Sequence, residues 1–178
     1  MATTLAEIQG LLDELKINYF STPRTEALFM PFQNGRNQVH VILALQEKGE
    51  FIQLRSKDLP WITPEMKHFG VLLEEMLALN FENKIFKVGR DASDGELVAY
   101  ADHVLEEDGQ ITAKQLERSL RSFVSSVAEL QNRLIAVQDT GKTKHAVQSE
   151  RSMDDFMSKC LLEHAASTTS EPSEELPD

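Results

Sequence analysis

Basic residues are scarce in this chain. Eighteen Lys and Arg stand against 29 Asp and Glu, a formal charge of -11 over 178 residues. Phosphate backbones are bound by clustered Lys and Arg, so no nucleic-acid partner is expected. Cysteine is nearly absent, and a lone Cys160 excludes both a disulfide framework and a Cys-rich zinc site. No apolar run approaches the ~20 residues of a membrane span, so no membrane is expected either. The segment from Met1 to Lys16 carries Glu7, Asp13 and Glu14 with no basic stretch before its apolar part, so it does not read as a signal peptide. What is present suffices for a core: hydrophobic residues make up 41 %, and a ~150-residue domain buries about 70 % of its unfolded surface. The expectation is one acidic, soluble, cytoplasmic domain.

The apolar spacing gives the element order. Thr4 and Glu7 have the spacing of a capping box, and Leu5, Ile8, Leu12 and Leu15 follow on one helical face. Glu26 to Phe32 reads as a strand, with Pro31 marking an edge or an end. Asn34-Gly35 is a hairpin signal, and Val39 to Leu45 alternates as a strand should. Phe51 to Arg55 alternates again. Thr63-Pro64-Glu65 has the chemistry of a helix start, which predicts a second helix to Leu79 or Asn80. Its main stripe reads as Met66, Phe69, Gly70, Leu73 and Leu77, with Leu72 and Leu79 on the flank. Strands follow over Lys84 to Arg90 and Glu96 to Leu105, joined through Asp94-Gly95. From Thr112 a long helix carries Leu116, Leu120, Phe123, Val127, Leu130, Leu134 and Val137 at alternating spacings of four and three. The order α-β-β-β-α-β-β-α, with short links, predicts an α+β fold around a five-stranded antiparallel sheet.

The chain then changes character. Residues 1–138 read as the domain and 139–166 as a linker, with a short amphipathic helix over Ser152 to His164. Residues 167–178 hold Glu171, Glu174, Glu175 and Asp178 and almost nothing to bury, which predicts a disordered acidic tail.

No catalytic constellation emerges. Gly141-Lys142-Thr143 has the end of a phosphate loop, but Ala136 stands where the first glycine belongs and a helix, not a strand, precedes it. Glu106 to Ile111 has the centre of a calcium loop, but Val104 and Gln115 occupy its end positions and supply no carboxylate. His40, His68, His103, His145 and His164 include no pair at metal-ligand spacing. His40 and His103 fall in strands of one sheet near Asp102, and structural histidines are the preferred reading. Cys160 has no activating neighbour, Ser119, Ser122, Ser125 and Ser126 are solvated helix positions, and Glu74-Glu75 and Glu106-Glu107-Asp108 are solvated charge. No metal and no cofactor is expected. The feature left over is apolar surface beyond what one core-facing stripe requires, as at an interaction site.

The element order resembles that of class I type III secretion chaperones, and the residues resemble the YbjN family, which shares that fold. The likeness is carried by Leu72 to Asn80 (LLEEMLALN), Lys84 to Gly89 (KIFKVG), Asp94 to Asp102 (DGELVAYAD) and Ile111 to Glu117 (ITAKQLE). It extends over about residues 5–137 and is strongest from Leu72 to Leu120. Pro31 and the acidic tail depart from the family pattern. The resemblance implies a small acidic domain, often dimeric, that binds proteins and has no enzymatic activity. Members are labelled regulators of sensory transduction.

The functional expectation is therefore a non-catalytic, chaperone-like or regulatory module that captures an extended or amphipathic segment of a protein partner. Alternatives are a dedicated type III secretion chaperone for one effector and, less favoured, an enzyme or small-ligand sensor near His40 and His103. A homodimer is expected, with Leu72, Met76 and Leu79 near the interface.

Overall fold

A computed structural model describes residues 3–21, 26–57, 59–105 and 110–149, together with Ser152. The chain order is α1 (Leu5–Glu14), β1 (Phe20–Ser21), β2 (Ala27–Asn34), β3 (Asn37–Gln46), β4 (Phe51–Lys57), α2 (Phe69–Glu82), β5 (Lys87–Arg90), β6 (Leu97–Val104) and α3 (Ala113–Thr140). The sheet order is β1-β2-β3-β4-β6-β5, and every neighbouring pair is antiparallel. The architecture is the expected α+β, but the sheet has six strands rather than five. The sixth, β1, pairs only Phe20 with Phe29 and Ser21 with Leu28. Two residues are too few to show an alternation in sequence.

The turn chemistry behaves as read. Asn34 pairs with Asn37, and Gly35 between them takes a φ of 59°, which suits the first central position of a two-residue hairpin. Gly95 has a φ of 85°, and a Cβ there would lie 2.8 Å from the Ile62 carbonyl oxygen. Pro31 lies mid-strand rather than at a strand end, but β1 does not extend alongside it. A proline is tolerated where one side of the strand lacks a partner.

The second helix starts later than its cap signal suggests. Met66 N–H donates to the Thr63 carbonyl and Phe69 N–H to the Met66 carbonyl, giving two successive turns. His68 then takes a φ of 66° in the left-handed region. A right-handed helix cannot pass through that conformation, so α2 begins at Phe69.

The core lies between one sheet face and the helices. Leu28, Met30, Val41, Leu43, Ile52, Leu54, Leu97 and Ala99 meet Ile8 and Leu12 of α1, Leu72, Met76 and Leu79 of α2, and the α3 seam. All seven seam residues from Leu116 to Val137 are buried. α3 packs over β2, β3, β4 and β6, while α2 lies against α3 and β5. Asn80 ties α2 to that edge strand: its amide donates to the Val88 carbonyl at 2.9 Å and accepts from Val88 N–H at 2.8 Å. The Leu-Asn at the end of the α2 motif thus places a core leucine beside a side chain that acts as strand partner to β5.

Gly141 ends α3 with a φ of 70°, its N–H on the Val137 carbonyl. Gly141-Lys142-Thr143 is therefore a helix exit, with the His68 ring so close that a Cβ on Gly141 would fall 2.5 Å from it. Residues 144–149 are helical again, so structure resumes earlier than the expected helix from Ser152. That helix beyond Ser152, Cys160, the acidic segment 106–109 and the tail over 167–178 lie outside the described residues.

Candidate functional site

Two regions flanking α3 stand out, and a third lies on the far face of the sheet. The first is a groove of about 420 Å³ between the exit of α1, the open edge of β2 and α3. Leu15, Ile17, Phe32, Leu120 and Val124 supply its apolar lining, with Gln33, Asn34, Glu117 and Arg121 around them. β1 stops at Phe29, so among the described residues β2 has no strand on that side from Met30 to Asn34. The groove therefore runs beside free strand edge. Arg121 and Glu117 pair at 2.7 Å, but Arg121 is 79 % exposed, and such a surface pair contributes only about 0.2–1 kcal/mol.

The second region is charged. Arg133 of α3 is nearly buried, with 5 % of its side chain exposed, and Glu75 of α2 is wholly buried. Arg133 Nη1 donates to Glu75 Oε1 at 3.0 Å and to Glu82 Oε1 at 3.2 Å. Its Nη2 donates to Glu82 Oε2 and, at 2.6 Å, to Glu129 Oε1. The segment after α3 completes the set. Lys144 N–H donates to Glu75 Oε2 at 2.8 Å, Lys144 Nζ lies 3.0 Å from Glu129 Oε1, and His145 Nε2 lies 2.8 Å from Glu82 Oε1.

The protonation states follow from these partners. The hydrogen bond from Arg133 holds the Glu82 carboxyl down at about 2 against its partial burial, with His145 adding to the effect. Burial works against the Glu129 charge, but hydrogen bonds from Arg133 and Lys144 outweigh it and lower the pKa. Burial likewise opposes the Arg133 charge, and the bonds to Glu82 and Glu129 raise its pKa above the ordinary value. Carboxylates held ionised in this way are poor proton donors near neutral pH. The cluster fastens α2, α3 and the following segment together.

The third region is the sheet face turned away from the helices. Phe20, Phe29, Ile42, Arg55, Tyr100 and Lys87 form one row across the strand register. A hollow of about 330 Å³ there is lined by Phe20, Phe29, Pro31, His40 and Ile42 among others. It is open and mainly apolar. His40 and His103 do not meet: His40 registers with Pro31 and Lys57, whereas His103 registers with Ile52, whose side chain is buried on the opposite face. Partial burial lowers the His103 pKa, with Asp102 opposing. Among the described residues no group of three or more His, Cys, Asp or Glu has a metal-holding arrangement, and no helix is long and apolar enough to cross a membrane.

The residues expected near a partner interface are placed differently. Leu72 and Leu79 are fully buried and Met76 nearly so, all within the protomer's own core. The same helix exposes Leu77 and Phe81, the latter at 92 %. α2 is apolar around most of its circumference, so spacing alone does not select its buried side. Glu75 on the core-facing side is the residue that the sequence reading missed: a charge among Leu72, Met76 and Leu79 signals a buried partner, but Arg133 lies 58 positions away.

The sequence matches the family model of YbjN, described as "Putative bacterial sensory transduction regulator", over residues 4–136. The chain belongs to the YbjN family. Its fold is similar to that in "Crystal structure of YbjN, a putative transcription regulator from E. coli", with a TM-score of 0.57 at 19 % identity over 78 % of this chain and 96 % of that one. It is also similar to a chain of "Structure of the HopA1-SchA Chaperone-Effector Complex", with a TM-score of 0.52 at 15 % identity over 72 % of this chain and 94 % of that one. No curated protein matches the sequence. The YbjN match ends before Gly141, so the segment supplying Lys144 and His145 lies outside it.

Proposed function

We propose that this YbjN-family chain is a non-catalytic, cytoplasmic protein-interaction module. It would capture an extended or amphipathic segment of a partner in the groove between α1, β2 and α3. The observation that carries this reading is the apolar lining of Leu15, Ile17, Phe32, Leu120 and Val124 beside an edge of β2 that no strand among the described residues pairs with. An extended segment can add main-chain hydrogen bonds at such an edge while its side chains fill the groove. The similarity to a chain from a chaperone–effector complex supports a protein as ligand. A dedicated secretion chaperone is the narrower form of the same reading.

Ile17 is half-buried at the groove. The full chain, immobilised, is expected to retain specific partners from its native source. Ile17→Asp should lose them while keeping its circular dichroism spectrum. Retention of the same partners by a folded Ile17→Asp protein would remove the groove as the binding surface. Homodimerisation belongs to the proposal as well, and the surface on α2 that supports it is Leu77 and Phe81.

A further inference from the structure

We propose that the sheet face turned away from the helices is a second docking surface, suited to a segment of a partner protein that carries a carboxylate beside apolar side chains. Its centre is Arg55. This residue is half-buried on β4, with Ile42 and Tyr100 as its register neighbours in the row. Among the described residues its side chain has no ion pair, hydrogen bond or ring contact. Asp102 is the one acid in the strands on this face, and it is engaged elsewhere. Gln53 Nε2 donates to Asp102 Oδ1 at 2.8 Å, and Gln46 Nε2 donates to Gln53 Oε1 at 3.0 Å. At the end of the row Lys87 Nζ donates to the Asn80 and Asn83 carbonyls at 3.0 and 3.1 Å, which adds positive charge and no carboxylate. In a chain of formal charge -11, the row from Phe20 to Lys87 holds two cations and no anion.

The apolar half of the row decides what brings the anion. Phe20 is 65 % exposed, and Phe20, Phe29 and Ile42 line the hollow of about 330 Å³. Strands lie about 4.8 Å apart, so Ile42 and Phe29 stand about 5 and 10 Å from Arg55 across the sheet. Whatever covers the hollow therefore crowds Arg55 as well. Taking an unpaired cation out of water is costly unless the occupant supplies the opposite charge. A purely apolar group does not supply it. Nor does a second copy seated face to face, whose one acid on this face is already bonded to Gln53. A peptide segment with Phe or Leu beside Asp or Glu meets both demands. Its apolar side chain fills the hollow, and its carboxylate takes the Arg55 guanidinium, whose fork matches a carboxylate. A short segment meets mainly the charges within a Debye length of about 8 Å. An anionic membrane or a nucleic acid also meets the surrounding excess of negative charge, which disfavours it.

A phage-displayed library of random peptides, depleted on Arg55→Glu and then selected on the full native chain, tests this. Arg55→Glu should keep its circular dichroism spectrum, since the side chain it replaces holds nothing in place. Survivors should combine Asp or Glu with Phe or Leu. As synthetic peptides they should bind the native chain about tenfold tighter than Arg55→Glu, as loss of a central anchor implies. Phe20→Ser should weaken them severalfold. Ile17→Asp should leave them unchanged, which separates this surface from the groove beside α1. Replacing each acid of the peptides by lysine should abolish binding to the native chain and restore it to Arg55→Glu. No survivors, lysine peptides that bind the native chain as well as the acidic ones, or loss of binding on Ile17→Asp would overturn the proposal. So would binding of the native chain to phosphatidylserine vesicles or single-stranded DNA that Arg55→Glu abolishes, because the anion would then be a phosphate of lipid or nucleic acid.

Discussion

The two flanks of α3 are finished by opposite chemistry. Towards α1 and β2 the helix presents Leu120 and Val124 to an apolar groove beside a strand edge that is free among the described residues. Towards α2 it presents Arg133 to three carboxylates, and the chain itself closes that side with Lys144 and His145. An apolar groove accepts any segment of suitable shape. A buried ion network accepts few partners, because each misplaced charge is expensive in low dielectric. The difference teaches that the two sides divide the work. The charged flank fixes how α2, α3 and the following segment meet, and the apolar flank stays uncovered among the described residues.

Breaking the charged flank should cost the most. Arg133→Met leaves Glu75 buried opposite no cation, and such a loss typically destabilises by about 3–5 kcal/mol. Urea unfolding of the full chain measures it. Adding Glu75→Met should return much of the loss, since the stranded charge is then gone as well. If the double variant is no more stable than Arg133→Met, an unpaired Glu75 is not the cause.

Asn80 tests whether the outer edge of α2 depends on side-chain hydrogen bonds in the same way. Its amide serves both backbone groups of Val88. Asn80→Ala should cost about 1–3 kcal/mol, because it strands polar groups at a nearly buried residue. Hydrogen exchange should accelerate at Val88 before it does in β3. Equal acceleration in both strands would mean that β5 does not open separately.

These two residues also show what was legible in sequence. Strand alternation, the glycine turns and the α3 seam were readable because each is a local pattern enforced by backbone geometry or by one buried face. The place of the α2 start was not, since the cap chemistry of Thr63 and Pro64 is real but closes only a turn before His68 interrupts it. Nor was the buried side of α2, where Leu77 and Leu72 are equally apolar and only tertiary packing separates them. β1 was too short to register. The Glu75–Arg133 pair depends on α2 and α3 lying antiparallel, and the groove depends on where β1 stops. Both are properties of assembled elements rather than of any one segment.

Acid should loosen the charged flank and spare the apolar one. The Glu82 pKa falls from 4.5 to about 2 on folding. A depressed carboxyl contributes stability that is fully present above the unfolded value and is lost as pH falls through the folded one. The window is therefore about pH 4.5 down to 2, and Glu129, also lowered, acts in the same direction. Stability measured across that range should fall less steeply in Glu82→Gln. An unchanged slope would assign the acid sensitivity to other carboxylates.

The smallest expected effect on stability lies on the outer side of α2. Phe81 is 92 % exposed and Leu77 68 %, so within one protomer they have almost nothing to lose. Phe81→Ser should change the unfolding free energy by no more than about 0.5 kcal/mol, as surface substitutions away from special features do. If two protomers meet through this side, the same substitution removes apolar area that is buried only in the dimer. Light scattering should then show a dimer in the native chain and a shift toward monomer in Phe81→Ser at the same micromolar concentration. A dimer of unchanged strength in the variant would move the contact elsewhere, and a monomer in the native chain would end the dimer proposal. Because the expected protomer effect is so small, a change in mass can be read as a change at the interface rather than as partial unfolding.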